Sequence, residues 1–133
     1  MNGRDNPSDR YAGHLASLQA RFAAALEACG YDAALVYSGA LLPAFRDDQS
    51  YPFRPQAWFS IWAPLAPAPD CFWYIRPGAR PVLLMSSPED FWYRPAQVPS
   101  GDWTRHFVIS RVASLAEARA ALPQDLSRVA LIG

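Results

Sequence analysis

Long apolar runs, an excess of either charge and closely spaced cysteines are all missing from this sequence of 133 residues. No stretch stays apolar for long enough to cross a bilayer. The start, Met-Asn-Gly-Arg-Asp-Asn-Pro, lacks the apolar centre of a secretion signal. The expectation is therefore a cytoplasmic protein with reduced thiols and no membrane partner. Twelve basic residues balance twelve acidic ones, so there is no cationic excess of the kind that displaces counterions from a nucleic-acid backbone. Nucleic acid is excluded as a partner on that ground. Cys29 and Cys71 lack the spacing of a zinc or redox motif and sit in apolar stretches, where a free thiol packs as a small core residue. His14 and His106 are the only histidines, and a metal site needs several converging ligands. A phosphate-cradling glycine loop, a His-Glu-x-x-His helix and a Gly-x-Ser-x-Gly elbow are absent as well.

What is present fits one globular domain. The hydrophobic fraction is 51% and the charged fraction 18%, a balance that supports a core and argues against disorder. Residues 1–9 are polar and read as a flexible amino terminus, with one domain over 10–133. Over residues 10–29, Leu15, Leu18, Phe22, Leu26 and Cys29 recur at intervals of three and four, which places them on one face of a helix. Gly30 stands where a left-handed residue closes such a helix. The period then changes. Ala33–Tyr37 reads as a buried strand, and further short apolar runs follow at 58–63, 71–76 and 82–86, punctuated by Pro67, Pro69, Pro77-Gly78 and Pro81. Their brief connections predict antiparallel hairpins. Residues 107–111 form a fifth candidate strand. Ser114-Leu-Ala-Glu117 is a capping box opening a helix that stops before Pro123, and residues 128–132 form the last strand. In Cys71-Phe-Trp-Tyr-Ile75 neither alternating set is polar, so the sheet needs cover on both faces. The sum is an α/β fold with a mixed sheet of six strands. The chain halts at Gly133 directly after an apolar strand, which suggests a fragment of something longer.

Two groups of residues stand out as chemistry. The acidic pairs Asp47-Asp48 and Glu89-Asp90 are candidates for acid/base work, although neighbours on a strand point to opposite faces. Taken alone, they are accounted for more simply as solvated loop carboxylates or helix starts. The second group is aromatic: eleven of the eighteen aromatic residues fall between Tyr51 and Tyr93, with Trp58, Trp62, Trp73 and Trp92 among them. Two readings stand for that load: all of it fills the core, or it exceeds one small core's needs and leaves an exposed wall for a ligand or partner.

Four stretches in order carry a resemblance. They are His14-Leu-Ala-Ser-Leu-Gln-Ala-Arg21 with Asp32-Ala-Ala-Leu-Val-Tyr-Ser-Gly39; Phe45-Arg-Asp-Asp48 with Tyr51-Pro-Phe53 and Trp62-Ala-Pro64; Pro69-Asp-Cys-Phe-Trp73 with Arg80-Pro81; and Pro88-Glu-Asp-Phe-Trp92. The series resembles the amino-terminal domain of bacterial Xaa-Pro dipeptidases (prolidases) and the related organophosphorus acid anhydrolases, from about residue 10 to Gly133. Gln56-Ala57 and Ser60 depart from the family's usual residues.

The resemblance implies a three-layer α/β/α creatinase-like domain with a mixed six-stranded sheet. It also implies a following catalytic domain that holds two Mn²⁺ or similar ions, which activate a bridging water. None of those metal ligands matches a position in this chain, so the expectation is that it is inactive alone. Its partners would be its own carboxyl-terminal catalytic domain and a second subunit of a homodimer. By position, Asp48 and Trp92 resemble residues that close the small end of the neighbouring subunit's pocket. A dipeptidase must hold a free ammonium, for which a carboxylate makes a charge-assisted bond, while an indole supplies a rigid wall. A free-standing peptide- or sugar-binding module built on the aromatic patch is the alternative. A small enzyme using Asp47 or Asp48 as acid/base lacks any supporting cluster.

Overall fold

The computed structural model describes residues 6–40, 55–64, 69–86 and 101–133. Its first helix, α1, spans Pro7–Cys29 and begins earlier than the apolar period predicts, because two polar residues set the start. The Asn6 side chain accepts the Ser8 N–H at 3.2 Å, and Pro7 occupies the first helical position, where its missing N–H is no loss. The carboxyl end matches expectation: Gly30 adopts φ 77°, ψ 26°, and the Gly30 and Tyr31 N–H groups bond back to Glu27 and Leu26 carbonyls. Leu15, Leu18 and Leu26 are buried beneath α1, each contributing roughly 1.5–3 kcal/mol of transfer free energy. Cys29 is exposed, contrary to the core position its spacing implied. As the last helical residue it lies beside the rim of a groove, not over the strands.

Strand β1 spans Ala33–Tyr37, as predicted. The run 58–63, read above as a strand, is instead a short helix α2, Ala57–Ser60. Gln56 caps it by accepting the Trp58 N–H at 2.8 Å. Phe59, Trp62 and Ala63 are buried while Trp58 is 52% exposed. Spacings of three and four bury one face of a helix; a strand would have buried alternate residues. The remaining elements are β2 Phe72–Ile75, β3 Val82–Ser86, a 3₁₀ turn Asp102–His106, β4 Val108–Val112, α3 Leu115–Ala120 and β5 Val129–Ile132. The serine half of the α3 capping box forms, the Glu117 N–H donating to Ser114 Oγ at 3.2 Å, while Glu117 Oε2 reaches one residue past the cap and accepts the Ala113 N–H at 2.7 Å.

Among the described residues there are five strands in one sheet, in the order β4-β3-β2-β1-β5. β2 pairs antiparallel with β3 across a short connection, as predicted, and antiparallel with β1 across a long one that contains α2, while β4 and β5 add parallel at the two edges. The loss of the strand at 58–63 to a helix accounts for five where six were expected. Strand alternation sorts the core onto two faces. Ala34, Val36, Trp73, Ile75, Leu83 and Met85 meet the buried residues of α1 and α2. On the other face Leu84 and Val112 pack with Ala118 of α3, next to Leu35 and Tyr74. No described helix is long and apolar enough to cross a membrane.

Candidate functional site

Asp48 and Trp92, with Asp47, Glu89 and Asp90, lie outside the described residues. The structure does describe where the chain departs towards them and where it returns. β1 and β3 run in the same direction, since each is antiparallel to β2. The stretch 41–54 therefore leaves from the carboxyl end of β1, and the stretch 87–100 from the carboxyl end of β3, at the same end of the sheet. Asp70 and Cys71, which lead into β2, stand there too. In α/β sheets the carboxyl ends of the strands are where ligands are most often held.

A dense set of hydrogen bonds braces that end. Ser38, 1% exposed, is the only buried polar or charged residue among those described. Its N–H donates to the Cys71 carbonyl at 2.9 Å, its Oγ accepts the Cys71 N–H at 3.0 Å, and its carbonyl accepts the Gln56 N–H at 3.0 Å. Next to it the Gly39 carbonyl accepts the Asp70 N–H at 2.8 Å. Asp70 is the one non-glycine residue described with a left-handed backbone, at φ 57°, a conformation that a short polar side chain tolerates. Its Oδ1 accepts a hydrogen bond from the Tyr37 hydroxyl, and the Tyr37 ring stacks on Phe72 at 4.8 Å.

The Tyr37 hydroxyl is pushed up to about 12, first by burial and then by the bond to Asp70 and its charge. Burial alone pushes Tyr11 up to about 12 as well. A raised pKa means the folded state favours the protonated phenol. The stability it brings is complete below the ordinary tyrosine value of about 10 and is lost as pH climbs from there towards 12. A spectrophotometric titration of tyrosinate should accordingly show a late component near pH 12. Tyr37→Phe should remove part of it. A titration completed at the ordinary tyrosine pH, unchanged by that substitution, would contradict the assignment.

The other candidates resolve into packing. Cys71 is 1% exposed, and burial chiefly pushes its thiol up, so it is the small core residue expected. His14 and His106, far apart in sequence, both lie against Tyr11. Its ring centroid is 6.4 Å from that of His14 and 5.7 Å from that of His106, the latter edge-on. The Tyr11 hydroxyl donates to the Trp62 carbonyl at 2.7 Å, and His14 Nε2 lies 2.9 Å from the Ile61 carbonyl, so both tie α1 to the end of α2. No three His, Cys, Asp or Glu side chains converge into a metal-holding group among the described residues.

The aromatic patch divides. Trp62 and Trp73 are fully buried, and Trp73 Nε1 donates to the Phe59 carbonyl at 3.1 Å. Trp58 alone of the three is exposed, beside a groove of about 400 Å³ between α1, α2 and β5. Phe22, Leu26, Ile61, Ala130 and Ile132 line it, and Arg21, Cys29, Tyr31 and Trp58 bring its few polar side-chain atoms. Sequence reasoning missed the set at Tyr37, Ser38 and Asp70. Its one visible signal was a serine and an aspartate placed at the ends of apolar strands.

Comparison with known proteins agrees with the resemblance read from the motifs. A family model described as the amino-terminal domain of Xaa-Pro dipeptidase matches residues 9–133. The Xaa-Pro dipeptidase of Stenotrophomonas maltophilia is 38% identical over 130 residues, covering 98% of this chain and 29% of that relative. The Xaa-Pro dipeptidase of Pectobacterium carotovorum is 37% identical over 123 residues, 92% of this chain and 28% of the relative. That of Xanthomonas axonopodis is 34% identical over 126 residues, with 95% and 29% covered. The chain thus spans under a third of the length of the curated relatives it matches.

Proposed function

The chain belongs to the family of Xaa-Pro dipeptidase amino-terminal domains, and from that premise we propose that it is the dimerising and substrate-gating domain of a metal-dependent Xaa-Pro dipeptidase. The observation that carries this reading is the common sheet end from which the stretches bearing Asp48 and Trp92 both depart. Two recognition groups on separate segments can act on one ligand only if their anchors lie together, and a braced strand end is a rigid base for them. Helices on both faces of the sheet support a three-layer creatinase-like fold.

In this reading Asp48 binds the dipeptide's ammonium and Trp92 walls the pocket, both across a homodimer interface. The reaction itself belongs to a carboxyl-terminal domain of the parent. The family implies two Mn²⁺ or similar ions; the described residues do not fit them, having no convergent ligand group, so the ions are assigned to that domain. A cytoplasmic location goes with the same reading and is supported by the two unpaired thiols. The groove beside Trp58 suits the alternative sugar-binding module poorly, since so few polar atoms line it.

Incubated with Mn²⁺ and Gly-Pro or Leu-Pro, the purified chain should show no turnover above a buffer blank, while the full-length parent hydrolyses both. Turnover by the chain alone that a chelator abolishes would overturn the division of labour.

A further inference from the structure

We propose that the apolar groove between α1, α2 and β5 seats the carboxyl-terminal part of the same subunit, so that packing as well as the peptide link beyond Gly133 joins this domain to the remainder of its parent. The inference rests on the reading of the chain as the amino-terminal part of a longer enzyme, and not on the roles given to Asp48 and Trp92.

The groove has the chemistry of an interior, yet it lies open. Phe22 and Leu26 of α1, Trp58 and Ile61 at α2, and Ala130 and Ile132 of β5 form its walls. Trp58 is 52% exposed, Ile61 36% and Tyr31, which also lines the groove, 42%. Large side chains gathered around one dry groove mark an interface, where the same residues scattered singly would mean nothing. β5 repeats the pattern. Val129-Ala-Leu-Ile132 is apolar on both faces, as in a strand covered on both sides. It nevertheless stands at the edge of the sheet, with Leu131 73% exposed. A bare apolar edge invites pairing with other chains, so the sequence of β5 calls for a cover.

Length and position decide the occupant. This domain makes up 29% of the Stenotrophomonas maltophilia enzyme, and the matching family model is amino-terminal, so the larger part of such a chain follows it. The exit lies at the groove itself. Ile132 is in its wall, and Gly133 is still on the sheet, so close to β1 that a Cβ there would meet the Tyr37 Cβ at 3.0 Å. A partner tethered at that point acts at an effective concentration of about millimolar. A second copy or a foreign protein, present at about micromolar concentration, competes at a disadvantage of roughly a thousandfold for equal contacts. The scarcity of polar atoms in the groove also suits a permanent contact, since permanent interfaces are the more apolar ones.

Cys29, exposed at the groove, reports on the cover, and buried Cys71 is the internal control. In the full-length parent, Cys29 should be alkylated by N-ethylmaleimide about tenfold or more slowly than in the chain alone, with Cys71 slow in both. Trp58→Asp in the parent should bring the Cys29 rate up to that of the chain, because an unpaired carboxylate resists burial in the seat. If Cys71 also reacts fast in the chain alone, the parent carrying Trp58→Asp serves as the open reference instead. Trp58→p-benzoylphenylalanine in the parent identifies the occupant. Irradiation should give a cross-linked product of single-subunit mass on a denaturing gel, joined to a peptide beyond Gly133. A product of twice that mass would give the groove to a second copy, and a link to a peptide before Gly133 would give it to this domain; either would overturn the proposal. So would a Cys29 that reacts as fast in the parent as in the open reference. Gly-Pro hydrolysis is read on the same samples: an active parent with an uncovered groove overturns this inference alone. A parent inactive on Gly-Pro with a covered groove overturns the reading of the reaction and leaves this one standing.

Discussion

Trp62→Ala should lower the unfolding free energy of the chain by about 3 kcal/mol, the lower end of the roughly 3–5 kcal/mol range for truncating a buried aromatic. The indole is fully buried, with Phe22 edge-on at 4.9 Å and Trp73 at 6.4 Å. Its removal takes away a large contact surface between α1, α2 and β2 and leaves a cavity that these elements can only partly close. The low end is expected because Trp62 Nε1 is buried with no hydrogen-bond partner among the described residues. An unsatisfied buried donor costs about 1–3 kcal/mol, and alanine relieves that penalty while losing the packing. Trp62→Phe separates the two effects: it keeps most of the volume, deletes the orphan N–H, and should recover most of the loss. The readout is the urea midpoint at constant slope. Against a total stability of about 5–15 kcal/mol, the alanine variant should unfold at visibly lower urea. An unchanged midpoint would mean that Trp62 is not in the core.

The same residue shows where the sequence could be read and where it could not. The run 58–63 is apolar enough for a strand and too short for periodicity to decide. Trp62 was expected to be buried and is, but in the bend just past a short helix capped by Gln56. Pro55-Gln56 before the run was the available signal for a helix start. Asn6-Pro7 was a similar signal at α1, where polar residues 7–9 seemed loop-like until the cap and the proline are counted. β1, β3, the Gly30 stop and the α3 capping box were legible because each rests on local chemistry. The edge positions of β4 and β5, and their parallel pairing, are set by contacts between distant segments.

The candidate site divides along the same line. Asp48 and Trp92 were found through motif resemblance, and no periodicity in the chain marks either. The bracing of Ser38 and Tyr37 by Asp70 and Cys71 joins residues 33 apart in the chain. It becomes visible only once the register pairs Tyr37 with Phe72. Cys29 shows the opposite error. Its spacing continues the apolar face of α1, yet the helix ends at that residue, so the period outlasts the surface it was meant to cover.

Asp48→Asn in the full-length parent should lower kcat/KM for Gly-Pro on the order of ten- to a hundredfold. The substitution keeps the size of the side chain and removes its charge. A hydrogen bond to a charged group is worth about 1.5–3 kcal/mol, and 1.36 kcal/mol corresponds to a factor of ten. Metal content and folding should be unchanged, because the proposed role of Asp48 is to hold the ammonium and not an ion. An N-acetylated dipeptide has no ammonium for the carboxylate to hold, so its hydrolysis should suffer far less. Comparing the two substrates gives a difference of differences, in which any general damage to the enzyme cancels. Raising the ionic strength should narrow the gap only modestly, since a pair buried within a closed pocket is screened much less than an exposed one. Equal losses for both substrates, or no loss for Gly-Pro, would show that Asp48 does not read the amino terminus, and the gating role would then have to rest on Trp92 alone.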